Sequence, residues 1–189
     1  VRLLADLENG DGKIHHVMGE TQIRETPGSV RRLWLDPANT PAFPPAISAV
    51  LSADMIVIGP GSLYTSLLPN LLVRDLAEAV RASQALKFFI CNVATEKGET
   101  DHFTCLDHVR SVEQHVGEGI FDLVICNNYF EGYLGSGSQW VKIDQELIDH
   151  SPVYCANLVD PVYPWRHDSK HLAKTIMDLF YERTGPLSS

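Results

Sequence analysis

Three stretches of the chain are apolar almost without interruption: Asp54-Met55-Ile56-Val57-Ile58, Lys87 to Val93, and Phe121 to Cys126. Each has the length of a strand, and unbroken apolar character marks strands buried on both faces of a parallel sheet. Helical periodicity follows the first two. Asn70 to Ser83 places Leu72, Leu76, Ala79 and Val80 on one stripe, and Thr104 to Val116 predicts a helix that ends near Gly117 and Gly119, residues suited to a C-terminal cap. Ser169 to Arg183 predicts a closing helix behind Asp168, with Leu172, Ile176, Leu179 and Phe180 on its apolar face. Strands alternating with helices imply an α/β fold, a parallel sheet with right-handed crossovers and helices on both faces.

The flanks read differently. Arg2 to Leu7 and Lys13 to Val17 surround Asn9-Gly10-Asp11-Gly12, the signature of a β-hairpin. Val30 to Leu35 predicts a further strand, Asp36 to Pro45 a proline-rich loop, and Pro45 to Ser52 a helix with Ala46, Ile47, Ala49 and Val50 as its apolar face. Gly19 to Ile23 reads as irregular, with polar groups available to line a crevice, and Asn127 to Ser138 as a loop. Trp140 to Ile143 and Val153 to Leu158 predict short strands. Val1 already lies within a strand-like run, which predicts further sequence upstream.

Composition narrows the class. The 189 residues suit one α/β domain spanning positions 1–189. No apolar run approaches the ~20 residues a membrane helix needs, and Arg2, Asp6 and Glu8 break any signal-like opening, so a cytoplasmic protein with no membrane partner is expected. The net charge of −9, with basic residues spread along the chain, argues against nucleic acid, which demands clustered cations. One small phosphorylated ligand remains compatible. Cys91, Cys105, Cys126 and Cys155 form no CxxC pair, and Cys91, Cys126 and Cys155 fall in apolar runs, so buried reduced thiols are expected rather than a zinc site.

The chemistry concentrates where the three apolar strands end. After the first comes Gly59-Pro60-Gly61-Ser62-Leu63-Tyr64-Thr65-Ser66. Glycines at a strand's carboxyl end let the backbone approach a ligand, and the free amides of the next helix attract anions; Ser62, Thr65 and Ser66 add hydroxyls. The segment is neither GxGxxG nor GxxxxGK[ST], so an ordinary capped turn is the competing reading. After the second strand, Asn92-Val93-Ala94-Thr95-Glu96-Lys97-Gly98-Glu99-Thr100 should face the same crevice, with Asn92, Thr95, Glu99 and Thr100 as candidates. Asn127 repeats the arrangement after the third, and Arg166 is placed to reach a phosphate. Asp101, His102, Asp107 and His108 match no metal-ligand spacing, His15-His16 reads as surface, and Asp168 as an N-cap.

The run Ala53 to Leu72, with Asn92 to Thr100, Asp107-His108-Val109, Gly19-Glu20 and His167-Asp168, resembles the YvcK-like gluconeogenesis factors of the 2-phospho-L-lactate transferase (CofD) superfamily. The resemblance covers nearly the whole chain. It implies a Rossmann-like fold that here lacks the family's N-terminal nucleotide loop, and a possible homo-oligomer. It also implies binding of a nucleotide sugar of the UDP-N-acetylglucosamine type, in control of carbon metabolism and of the cell wall and cell shape, without an established reaction or cofactor. Gly59, Gly61, Ser62, Thr65, Ser66, Asn92, Thr95, Glu99, Thr100, Asn127 and Arg166 are the expected ligand contacts. The alternative implied by the superfamily is a transferase of phosphorus-containing groups acting on a nucleotide diphosphate with Mg2+. Ser62-Leu63, where the transferases carry Asn-Pro, favours the gluconeogenesis-factor branch.

Overall fold

A computed structural model describes residues 1–185. Two sheets share one core. The first is antiparallel, with order β2-β1-β3, built from β1 (Arg2–Glu8), β2 (Ile14–Met18) and β3 (Ser29–Asp36). Leu3, Ala5 and Leu7 alternate inward along β1 and meet Leu33 and Leu35 of β3. The hairpin turn is closed by Asn9, whose Oδ1 accepts from the backbone N–H groups of Asp11 and Lys13.

The second sheet is parallel and runs β4 (Met55–Ile58), β5 (Leu86–Ile90), β6 (Leu123–Asn127) and β7 (Val153–Ala156) in spatial as in sequence order. Its period of two divides the apolar runs between two clusters. Phe89, Cys91, Val124 and Cys126 join the core shared with the antiparallel sheet, while Phe88, Ile90, Leu123 and Ile125 face α7 (Ser169–Thr184) through Leu172 and Leu179. Helices thus cover both faces over β5 and β6, as continuous apolar strands require. β4, expected to be buried on both faces, is instead an edge strand whose Val57 is exposed. On the first face lie α4 (Arg74–Ala82), contributing Ala77 and Val80, and α5 (Cys105–Val116), contributing Val109, Val112 and Val116. Leu147 of α6 (Gln145–His150) joins the same cluster, and α2 (Pro44–Leu51) packs beside α4.

Several elements differ from the sequence expectation. Gly19 to Ile23 is not irregular: α1 (Glu20–Glu25) forms there with Ile23 as its one buried residue, too short for a readable period. The stretch after the glycine turn is not one helix. It runs as a π-helical turn, Leu63–Leu67, then α3 (Leu68–Leu71), and breaks at an extended Val73 before α4. Pro69 in the first turn of α3 favours a helix start at that point. Trp140 makes only an isolated bridge to Ala94 instead of a strand, and α6 stands where no helix was expected. Cys155, expected inside, is exposed on the edge strand β7, whereas Cys91, Cys105 and Cys126 are buried.

Two caps fix the helices that matter most. Thr104 and Asp107 exchange hydrogen bonds in a capping box at the start of α5. Asp168 accepts from the N–H groups of Lys170 and His171, both at 3.0 Å, and so starts α7. Asp168→Ala should cost about 1 kcal/mol, read as a lower urea midpoint with an unchanged slope.

Candidate functional site

The carboxyl ends of β4 and β5 are drawn together by a position only glycine fits. Gly59 has φ +94°, and a Cβ there would lie 2.6 Å from the carbonyl oxygen of Ile90. This contact brings the Gly59 turn against the segment that follows β5. Asn92 then grips the turn from both sides: its Oδ1 accepts from Gly61 N–H at 3.2 Å, and its Nδ2 donates to Gly61 C=O at 3.1 Å and to Glu96 at 3.2 Å.

Two carboxylates complete the brace. Ser62 Oγ donates to Glu96 at 2.6 Å, Thr65 Oγ1 donates to Glu99 at 2.6 Å, and the Tyr64 N–H donates to Glu99 at 3.2 Å. Thr100 Oγ1 accepts from Glu96 N–H, and Thr95 Oγ1 accepts from Gln139 N–H, both at 2.9 Å. The Ser62 and Thr65 hydroxyls, expected to face a ligand, therefore point into the protein's own carboxylates. The turn positions the site, and its charge comes from elsewhere.

Glu99 is almost fully buried, with Arg24 Nε 3.7 Å away. Burial raises its carboxyl above the ordinary glutamate range, against the lowering effect of the Thr65 bond; Glu96 adds to the rise, while the Tyr64 N–H and Arg24 oppose it. A folded pKa above the unfolded one means the folded state holds the proton more tightly. Stability should accordingly fall as pH climbs from the ordinary glutamate pKa through the raised one. Glu99→Gln should flatten that slope in urea melts taken at rising pH from the ordinary glutamate range upward.

In front of the brace opens a cavity of about 1020 Å³ at the carboxyl edge of the parallel sheet. The β4 turn supplies Pro60 and Gly61; the segment after β5 supplies Asn92, Thr95, Glu96 and Lys97; α1 supplies Arg24. Trp165, Arg166 and His167 enter from the segment before α7, and Leu172, Ala173 and Ile176 from α7 itself. Arg24 arrives because Gly98, at φ +86°, lets the Arg24 carbonyl approach where a Cβ would stand only 2.7 Å away. Burial depresses the His167 imidazole to about 4, against a bond from the ring to the Cys91 carbonyl, so at neutral pH it brings no charge. Within the lining, three cations, Arg24, Lys97 and Arg166, stand with one carboxylate, Glu96, which is already tied to Ser62 and Asn92. Outside the lining, Arg24 lies 3.7 Å from Glu99 and Arg166 pairs with Asp160 at 3.1 Å. An anion is the ligand this arrangement attracts.

Of the residues singled out from sequence, Gly61, Asn92, Thr95 and Arg166 line the cavity. Gly59, Ser62, Thr65, Glu99 and Thr100 stand behind it in the brace. Ser66 is exposed, outside the cavity lining. Asn127 is buried and structural: its Oδ1 accepts from Tyr129 and Leu158 N–H groups, each at 3.2 Å. Arg24, Lys97, Trp165 and His167 were not expected in the lining. Lys97 lies inside the Asn92 to Thr100 motif, His167 in the His167-Asp168 motif, Trp165 beside Arg166, and Arg24 directly after Gly19 to Ile23, the stretch that reads as able to line a crevice.

Asp101, His102, Asp107 and His108 disperse into local roles: Asp101 accepts from Gly98 N–H, His102 meets Gln139, Asp107 caps α5, and His108 is buried against Thr104 C=O. Among the described residues no three His, Cys, Asp or Glu side chains converge. Nor is any helix among them long and apolar enough to cross a membrane.

Comparison with known proteins agrees with this architecture. Residues 1–159 match the family model described as 2-phospho-L-lactate transferase CofD. A gluconeogenesis factor from Bacillus subtilis is 44% identical over 128 residues, covering 68% of this chain and 39% of the relative. One from Listeria innocua is 45% identical over 125 residues, covering 66% and 38%. A crystal structure of a UPF0052 family member from Bacillus halodurans superposes with a TM-score of 0.82 at 33% identity, covering 93% of this chain and 59% of that one. The chain therefore spans about two fifths of the length of these curated relatives. With the family model matching most of the chain and the fold shared, the chain belongs to the CofD family, among the gluconeogenesis factors of the UPF0052 group.

Proposed function

We propose that the cavity binds a nucleotide sugar of the UDP-N-acetylglucosamine type, and that the protein acts as a regulator of carbon metabolism and of the cell wall and cell shape without turning its ligand over. The observation that carries the reading is the convergence of Arg24, Lys97 and Arg166, from three separate segments, on one cavity of a chain whose net charge is −9. Cations gathered against the overall charge of the protein mark a site for an anion. Gly61, Asn92 and Thr95 border the same cavity, their polar groups held in place by the brace behind it. The cavity's size exceeds what inorganic phosphate needs and suits a ligand of nucleotide-sugar dimensions. The regulatory role rests on the name that the relatives carry, gluconeogenesis factor.

Calorimetric titration with UDP-N-acetylglucosamine tests the proposal. Saturable binding is expected, with affinity falling as salt rises and Lys97→Ala weakening it about tenfold. Absence of heat, or an affinity indifferent to both salt and Lys97, would remove the basis for the reading.

A further inference from the structure

The segment before α7 is built as a closed loop. Asp160 N–H donates to the Arg166 carbonyl at 3.0 Å, Arg166 N–H donates to the Tyr163 carbonyl at 3.1 Å, and Val159 bridges to His167. Inside the loop, Asp160 Oδ1 accepts from the N–H groups of Val162 and Tyr163 at 2.8 and 2.9 Å, and its Oδ2 accepts from Arg166 Nε at 3.1 Å. The Arg166 guanidinium lies over the Tyr163 ring, 4.4 Å from its centroid, and Tyr163 packs on Trp165 at 5.2 Å. The backbone bonds, the ion pair and the stacked rings thus all fix the same few residues. What they hold out is the indole of Trp165, half exposed and lining the cavity.

A half-exposed indole is a poor use of the largest side chain unless something covers it. Each tryptophan has one partner within the protein, Trp140 on Phe130, Trp34 under the Arg32 guanidinium and Trp165 on Tyr163, but only Trp165 is exposed, the other two being half-buried. Trp165 stands one residue from a cation of the anion site and lines the same cavity as the apolar side chains of Leu172 and Ile176. A ligand that puts phosphate on Arg166 has its next group within reach of this ring.

We infer that Trp165 is the stacking platform for a nucleobase, which makes the ligand class a nucleoside diphosphate derivative and not a bare sugar phosphate or inorganic pyrophosphate. The inference rests on the nucleotide-sugar reading of the cavity and assigns its base-binding wall. Stacking is available to any base, because each presents a π face, so Trp165 confers affinity for nucleotides as a class and leaves the choice of base to other groups.

The test compares the intact wild-type protein with Trp165→Ala and Trp165→Phe in calorimetric titrations against UDP-N-acetylglucosamine, N-acetylglucosamine 1-phosphate and inorganic pyrophosphate. Trp165→Ala should weaken the nucleotide sugar about tenfold or more, and Trp165→Phe should stay within about threefold of wild type. The two ligands without a base should bind all three proteins alike. Quenching of wild-type tryptophan fluorescence by the nucleotide sugar but not by pyrophosphate is the companion result, and it needs no variant to fold. Equal losses for all three ligands would reduce Trp165 to a support of its loop and overturn the inference, as would an unaffected nucleotide sugar. A wild-type protein that binds no nucleotide would overturn the cavity reading and the platform together.

Discussion

Arg166→Glu is expected to weaken UDP-N-acetylglucosamine binding about a hundredfold while shifting the melting temperature by less than about 3 °C. A charge-assisted hydrogen bond to phosphate contributes about 1.5–3 kcal/mol, and reversing the charge sets a carboxylate against the ligand in its place. The small thermal effect follows from exposure. Arg166 pairs with Asp160 at the surface and stacks on Tyr163, contacts that water and salt largely replace. Titration calorimetry beside a thermal melt separates the two consequences. A large drop in melting temperature would mean that Arg166 holds the loop together, and its loss of binding would then say nothing about phosphate.

The converse behaviour is expected at Gly59. Gly59→Ala should destabilise the fold by about 3 kcal/mol, or roughly 6–12 °C in melting temperature. The added methyl would meet the Ile90 carbonyl at 2.6 Å in a left-handed backbone conformation, and neither the strand end nor the turn can retreat without opening the β4–β5 junction. Gly61→Ala is the matched control. Its Cβ would sit 3.4 Å from a terminal methyl of Leu67, with no positive φ, and should cost less than about 1 kcal/mol. Thermal melts of the pair distinguish a backbone requirement at Gly59 from general intolerance of side chains in the turn.

The contrast between Gly59 and Arg166 also marks what the sequence could and could not disclose. Continuous apolar runs made β4, β5 and β6 legible as strands, as stripes and caps did α5 and α7, but they overstated β4, an edge strand whose Val57 is exposed. Short elements held by a single anchor were not: α1 rests on Ile23 and α6 on Leu147, and neither makes a period. Spacing pointed correctly to the strand ends as the place of the crevice, because topology puts all carboxyl ends of a parallel sheet on one edge. It could not show that Ser62 and Thr65 donate inward to Glu96 and Glu99, since those partners lie 34 residues away in sequence. The stretch just before Arg24, Gly19 to Ile23, reads as able to line a crevice, but Arg24 itself does not. It reaches the cavity only because Gly98 admits its backbone, a contact between segments far apart in the chain.

The central claim is a position: the anionic part of the ligand sits among Arg24, Lys97 and Arg166, in front of the Gly59 turn. A crystal structure of the protein with UDP-N-acetylglucosamine tests it most directly. The account predicts diphosphate density in hydrogen-bond contact with Lys97 and Arg166, with the Ser62–Glu96 and Thr65–Glu99 bonds intact behind it. A ligand bound elsewhere on the surface, or a diphosphate that takes over the Ser62 and Thr65 hydroxyls while leaving the three cations free, would contradict it.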